Sequence, residues 1–143
     1  VLAWAEDYGI VINVEPHGPY TNDAEFMLRL FKHFDSECLR CNFDTGNSFI
    51  AGHAPVEYLR TLREYVSHCH IKDVSEGLAA AVRGEETGIA CSEVPIGGGV
   101  NADGIKNCIA YLKQTEWDGV VSLECYGADE NIRDSVAFLR ALI

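Results

Sequence analysis

The chain has 143 residues, a length that suits one domain built around a single hydrophobic core. Its formal net charge is -11, from 22 acidic against 11 basic residues, which makes the phosphate backbone of a nucleic acid an unfavourable partner. No apolar run approaches the ~18 residues of a membrane span, and the mean hydropathy is only -0.02. The chain starts without the charged and apolar regions of a signal peptide, so we expect a cytoplasmic protein.

Segments of strand and helix character alternate from the start. Residues 1–8 read as the end of a helix, and the β-branched run IVINVE predicts a strand over Ile10–Glu15. Asn22, followed three residues later by Glu25, is expected to cap the next helix. The alternating segment LRCNFD predicts a second strand over Leu39–Asp44.

The second strand is expected to break into a glycine turn, and the alternation then continues to the end of the chain. The next predicted elements are a helix with Pro55 in its first turn, a strand over Val66–Asp73 and a short helix near Leu78–Val82. A helix capped by Asn101 follows, and its apolar face consists of Ile105, Cys108, Ile109 and Leu112. The last two elements are a strand over Gly119–Cys125 and a helix over Ile132–Ile143. Four strand–helix pairs in succession predict parallel βαβ units, and therefore an α/β fold with residues 1–143 as a single domain.

The six cysteines are predicted to be reduced and mostly buried, because nothing in the sequence indicates secretion. Cys38 and Cys41 have the CxxC spacing of a redox or zinc motif. No second CxxC follows, and Cys41 falls inside a predicted strand, so we favour a structural role for both thiols.

Each predicted strand carries a potential ligand at its carboxyl end. The four residues are Glu15, Asp44, His70 and Glu124. Any one of them alone would fit a solvated strand end or a hydrogen-bonded core histidine. Parallel strands bring these ends to one edge of the sheet, where β/α proteins place their sites. Three carboxylates and one imidazole suit Mn²⁺, Mg²⁺, Co²⁺, Fe²⁺ or Zn²⁺, so the set predicts a divalent metal site or a carboxylate site.

A second polar layer lies two residues earlier on each strand, on the same face of the sheet. Its members are Asn13, Asn42, His68 and Ser122. Side chains in such a layer orient metal ligands through hydrogen bonds, and we expect the same of these four.

Five short motifs resemble one known family. They are VEPHG (Val14–Gly18), FDTGN (Phe43–Asn47), HCHIKD (His68–Asp73), IGGGVN (Ile96–Asn101) and DGVVSLE (Asp118–Glu124). In this order they resemble the xylose isomerase-like TIM barrels, a superfamily of sugar phosphate isomerases and epimerases. The resemblance implies a parallel (βα)4 half of a TIM barrel, corresponding to strands five to eight. It also implies that Glu15, Asp44, His70 and Glu124 bind one divalent metal ion, and that Glu15 and Glu124 form the catalytic acid/base pair.

The implied activity is that of a metal-dependent sugar or sugar phosphate isomerase or epimerase. It would transfer a proton next to a carbonyl through a metal-stabilised enediolate. The alternatives are an inosose dehydratase-like lyase acting on a cyclic polyol ketone, an endonuclease IV-like phosphodiesterase, and a catalytically silent half-barrel. A strict ketose 3-epimerase is disfavoured, because Asn47, Glu76 and Thr21 stand where those enzymes have histidine, arginine and glutamate.

Weaker expectations concern substrate and partners. His17, Asn47 and Lys72 are candidate contacts to a small carbohydrate substrate, with solvated or structural roles equally open. Gly97–Gly99 could cradle a phosphate ahead of the next helix or act as a flexible connection, and the second is favoured. Four strands leave two open edges, which predicts a homodimer or larger assembly.

Overall fold

The computed structural model describes residues 1–85, 88–89 and 91–143, and within them the protein is an α/β fold with four parallel strands. The strands pair in sequence order as β1 (Ile12–Val14), β2 (Leu39–Asp44), β3 (Val66–Ile71) and β4 (Val120–Leu123). The seven helices of these residues are α1 (Leu2–Tyr8), α2 (Ala24–Phe34), α3 (Thr45–Ile50), α4 (Pro55–Leu62), α5 (Glu76–Val82), α6 (Ala102–Gln114) and α7 (Asp129–Leu142). Three residues of the connection between β3 and α6, at positions 86, 87 and 90, lie outside the described residues.

The sheet contributes one apolar face to the core. Cys41 and Phe43 on β2, and Cys69 and Ile71 on β3, are fully buried at alternating positions. Helix α4 packs between α2 and α6, and α6 buries the predicted apolar set Ile105, Cys108, Ile109 and Leu112. Burial of each such side chain stabilises the fold by about 1.5–3 kcal/mol, so this face fixes which side of the sheet is left for polar residues.

Strand β1 is shorter than predicted. Ile10 and Val11, which were assigned to the strand, are exposed and precede it. β1 pairs only with β2 in the described residues, from Ile12 opposite Leu39 to Val14 opposite Cys41. Glu15 therefore lies just beyond the strand end, in the connection to α2.

The helix starts confirm the position of Pro55, correct the cap of α2, and confirm the position of Asn101 but not a capping bond. Pro55 occupies the first turn of α4, as expected. Asn22 does not cap α2; the Asp23 carboxylate does, accepting hydrogen bonds from the backbone N–H groups of Glu25 and Phe26. Asn101 stands at the cap position of α6, but its side chain makes no capping bond and its Nδ2 donates to the Thr45 carbonyl instead.

All six cysteines are free thiols. Cys41, Cys69 and Cys108 are buried in the core, and burial raises the pKa of all three thiols, that of Cys108 to about 12. Cys38 Sγ contacts the Ala5 carbonyl at 3.7 Å, away from any metal ligand set. The thiols of the CxxC pair are therefore packing groups.

The described residues contain no helix with the length and apolar character needed to cross a membrane.

Candidate metal centre

Four side chains converge at the carboxyl edge of the sheet. Asp44 is the last residue of β2 and His70 the last but one of β3, while Glu15 and Glu124 each follow a strand end by one residue. One ligand atom from each residue lies within 4.8 Å of the other three. The described residues form one such group of possible metal ligands, and it is the predicted one.

The four residues are not level in the sheet, which corrects the predicted alignment. Asp44 is the register partner of His70, but the partner of His70 on β4 is Ser122. Glu124 therefore lies two residues beyond the level of His70. Strands of barrel-type sheets are tilted and staggered, so residues at equal height differ in their distance from the strand ends. The Glu124 side chain brings its Oε2 to 3.1 Å from His70 Nδ1.

Asp44 is held by the helix that follows it. The predicted glycine turn is wrong, because Thr45 begins α3 directly and Asp44 is its N-cap. The Asn47 backbone N–H donates to Asp44 Oδ1 at 2.7 Å. This cap fixes the carboxylate and leaves Oδ2 beside the Lys72 ammonium, 3.1 Å away.

Lys72 occupies the floor of the cluster. Its ammonium Nζ lies 2.8 Å from Glu124 Oε1 and 3.1 Å from Asp44 Oδ2, and it donates to Asn47 Oδ1 at 3.2 Å. The side chain is almost completely buried. Burial acts to lower the pKa of Lys72, but Asp44 and Glu124 outweigh it and the net shift is upward. The lysine therefore carries its charge.

Burial shifts the pKa of Asp44 in the opposite direction to that of Lys72. Burial raises the pKa of Asp44 to about 7, although the Lys72 ammonium and the Asn47 N–H act to lower it. The Lys72 ammonium forms an ion pair with Asp44 Oδ2 but is not aligned as a hydrogen-bond donor, and no other described group donates to this buried oxygen. The oxygen is thus available as a metal ligand.

A sequence profile described as "xylose isomerase-like TIM barrel" matches residues 1–142. The chain belongs to this family. No curated protein sequence matches the chain.

Three solved structures share the fold of this chain. A D-tagatose 3-epimerase-like protein is 25% identical with a TM-score of 0.74, over 99% of this chain and 49% of its own. A xylose isomerase domain protein from Planctomyces limnophilus is 24% identical with a TM-score of 0.77, over 99% and 48%. A probable 3-DHS dehydratase from Bacillus anthracis is 24% identical with a TM-score of 0.70, over 98% and 52%. The chain spans about half the length of these structures, so its four strands match half of a TIM-barrel-like fold.

The donor set of this xylose isomerase-like chain fits a hard divalent cation. Glu15, Asp44 and Glu124 bring three carboxylates together, and their mutual repulsion favours a bound cation. His70 Nδ1 faces them, 3.6 Å from Glu15 Oε2, in the position of a nitrogen ligand. Oxygen-rich sets with one imidazole suit the predicted Mn²⁺, Mg²⁺, Co²⁺, Fe²⁺ or Zn²⁺.

The predicted polar layer divides into three parts. Asn42 Nδ2 lies 3.2 Å from both Glu15 Oε2 and His70 Nδ1, so it positions two ligands. His68 Nε2 and Ser122 Oγ are hydrogen-bonded at 2.7 Å, and the His68 ring packs edge-on against His70. Burial and the neighbouring His70 lower the pKa of His68. Asn13 accepts a hydrogen bond from Ser67 Oγ, and its register partner is Arg40, four residues before Asp44, so it lies below the level of the four converging side chains.

The three candidate substrate contacts have different surroundings. Asn47 is fully buried, and its Nδ2 donates to Glu15 Oε1 at 3.2 Å, so it connects Glu15 with Lys72 and Asp44. Lys72 is likewise surrounded by ligand side chains. His17 is exposed on the loop after β1. Asn47 and Lys72 contact predicted metal ligands and each other, and a substrate contact for any of the three stays a prediction.

The flexible connection favoured for Gly97–Gly99 is wrong, and so is the alternative of a phosphate cradle. The Gly97 and Gly99 N–H groups donate to Asp73 Oδ2 at 2.9 and 3.0 Å, while Gly98 donates to the Pro95 carbonyl. Asp73 Oδ1 accepts two further backbone N–H groups, from Val74 and Asn101. An internal carboxylate thus occupies the place proposed for a phosphate. Sequence reasoning missed Asp73, although its position directly after Lys72 in the HCHIKD motif was visible.

Proposed function

We propose that this chain forms the metal-binding half of a sugar isomerase or epimerase that transfers a proton next to a carbonyl. The observation that carries the proposal is the convergence of Glu15, Asp44, His70 and Glu124 within 4.8 Å at the carboxyl edge of a parallel sheet. The family supports it, as does the 25% identical structure that is named as D-tagatose 3-epimerase-like.

Exposure separates the ligands into two kinds. The Asp44 side chain is fully buried, whereas those of Glu15 and Glu124 are each 26% exposed. A substrate can therefore reach both glutamates. We assign these two as the acid/base pair, one removing the proton beside the carbonyl and the other returning a proton. Positioned groups of this kind contribute about 10²–10⁴-fold to a rate.

The surroundings of the two glutamates keep them in place for this task. Glu15 receives hydrogen bonds from Asn42 and Asn47, one on each carboxylate oxygen. Glu124 contacts the Lys72 ammonium with Oε1 and His70 with Oε2. When bound, a divalent ion supplies a Lewis acid that stabilises negative charge on the carbonyl oxygen.

The substrate we propose is a small neutral carbohydrate. Lys72 is committed to Asp44 and Glu124, and the Gly97 and Gly99 N–H groups are committed to Asp73. The Lys72 ammonium and these two N–H groups are therefore not available to bind a phosphate group. The acidic chain also disfavours nucleic acid, and a cytoplasmic location is the one we expect.

The half-barrel arrangement is a proposal about assembly. We propose that residues 1–143 form one domain equivalent to strands five to eight of the barrel. β1 and β4 each have one neighbour in the described sheet, and Ile10, Val11 and Val120 are exposed at these edges. A second copy that pairs both edges would complete a barrel, and light scattering of the purified chain is expected to give a dimer or larger species. A well-folded, monodisperse monomer would contradict this.

Metal analysis combined with isotope exchange tests the function. We expect the wild type to retain about one divalent ion per chain and to incorporate deuterium from D₂O next to the carbonyl of at least one small ketose. Glu124→Gln keeps the shape of the side chain but removes its negative charge and its basicity. It is expected to slow the exchange by about 10²-fold or more.

The outcomes separate the competing functions. A product that has lost water would show a dehydratase-like lyase, and two or three zinc ions per chain would favour a phosphodiesterase. Metal without exchange in any sugar would leave a catalytically silent half-barrel. Absence of both bound metal and deuterium exchange would reject the proposal that this chain is an enzyme.

A further inference from the structure

Lys72 is the one lysine or arginine that contacts the metal-ligand carboxylates within the described residues. Its ammonium lies between Asp44 Oδ2 and Glu124 Oε1, at 3.1 and 2.8 Å. It approaches two of the four proposed ligands from the protein interior. A lysine is almost never fully buried without such partners, which indicates that the carboxylates and the ammonium depend on one another.

The backbone and stem of Lys72 are held as firmly as its head group. Thr45 Oγ1 accepts the Lys72 N–H and donates to the Lys72 carbonyl, both at 2.9 Å. Gly46 leaves room for the stem, because a Cβ at that position would come within 2.7–2.8 Å of Lys72 Cβ, Cγ and Cδ. The first residues of α3 are thus fitted to this one side chain.

The charges of the cluster show what the lysine does. Glu15, Asp44 and Glu124 carry three negative charges when ionised, the Lys72 ammonium cancels one, and two remain. Grouping three carboxylates with no cation is strongly unfavourable in a partly buried site. The remaining double charge matches one divalent ion.

We propose that Lys72 is the built-in cation of the metal centre, a positioning residue that holds Asp44 and Glu124 in the empty site and limits how tightly a metal ion binds. This inference rests on the proposed function, because it assumes that the four side chains hold a divalent ion. The ammonium and the ion share the same two carboxylates and repel each other. Removal of the ammonium therefore destabilises the metal-free protein and strengthens metal binding.

Lys72→Met tests this proposal, because methionine keeps an unbranched stem and removes the charge. We expect Mn²⁺ to bind at least tenfold more tightly than to the wild type in calorimetric titration. The metal-free variant is expected to melt at a lower temperature, and saturating Mn²⁺ is expected to raise its melting temperature by more than that of the wild type.

Two further variants are the controls. Lys72→Arg retains the positive charge, and its Mn²⁺ affinity is expected to stay below that of Lys72→Met. Lys106→Met makes the same substitution at an exposed lysine paired with Asp103, and it is expected to leave Mn²⁺ affinity unchanged. The surface variant shows whether the loss of any positive charge from this acidic chain has the same effect.

Each result has a defined meaning. Unchanged or weaker Mn²⁺ binding by a folded Lys72→Met overturns the proposal and leaves the metal centre standing. A Lys72→Met chain that folds only with Mn²⁺ supports it, because the ion then replaces the missing cation. A chain that stays unfolded with saturating Mn²⁺ overturns it in favour of a purely structural lysine. A wild type that binds no Mn²⁺ rejects the proposed metal centre itself, which distinguishes the two failures.

Discussion

Asp73→Asn is expected to lower the free energy of unfolding by about 3 kcal/mol. Asp73 is completely buried, and each of its carboxylate oxygens accepts two backbone N–H groups. An asparagine must turn its NH₂ group toward one of these pairs, so that three donors meet with no acceptor. Flipping the amide places its NH₂ group against the other pair of N–H groups, which then lack an acceptor. The segment from Gly97 to Asn101 would then keep only part of its hydrogen bonding to the residues that follow β3.

Chemical denaturation followed by circular dichroism measures this effect. Asp118→Asn is the matched control, since it makes the same substitution at an exposed position before β4 and is expected to leave stability nearly unchanged. A loss of stability no greater than that of the control would contradict the role given to Asp73. The result is independent of the metal centre, because it concerns hydrogen bonds to the backbone only.

The strands and the four proposed metal ligands could be predicted because their signals are local. Alternation of apolar and polar residues marks β2 and β3, and a polar residue then stands at or just after each strand end. Parallel pairing brings such ends to one edge in any β/α sheet, so Glu15, Asp44, His70 and Glu124 could be grouped without coordinates. The apolar face of α6 was predicted in the same way, from helical spacing alone.

The remaining features depend on contacts between distant segments. Gly46 resembled a turn residue, whereas it lies inside α3 and makes room for Lys72, 26 positions further along the chain. Gly97 and Gly99 resembled an anion site, but the anion is Asp73 of the same chain. The two-residue offset of Glu124 from His70 follows from the stagger of the strands. No local sequence pattern encodes any of these three features.

Asp44→Asn is expected to weaken Mn²⁺ binding by at least about 100-fold, more than loss of a residue that only positions a ligand. The asparagine Oδ1 can still accept the Asn47 N–H, so the cap of α3 is kept. The NH₂ group then replaces Oδ2, which is the oxygen that lies 3.1 Å from Lys72 Nζ and has no aligned donor. A donor group at this position repels the Lys72 ammonium and any metal ion alike. Calorimetric titration with Mn²⁺ measures the loss.

Retention of the α3 cap is what makes this substitution informative about the metal. Circular dichroism of Asp44→Asn is expected to match the wild type, and Asp134→Asn, which makes the same change on the exposed side of α7, is expected to bind Mn²⁺ normally. If a folded Asp44→Asn bound Mn²⁺ with wild-type affinity, the ion would have to bind elsewhere, and the four strand-end side chains would not be its ligands. A selective loss of affinity would instead identify Asp44 Oδ2, between Lys72 and the other three side chains, as the ligand that the helix cap holds in place.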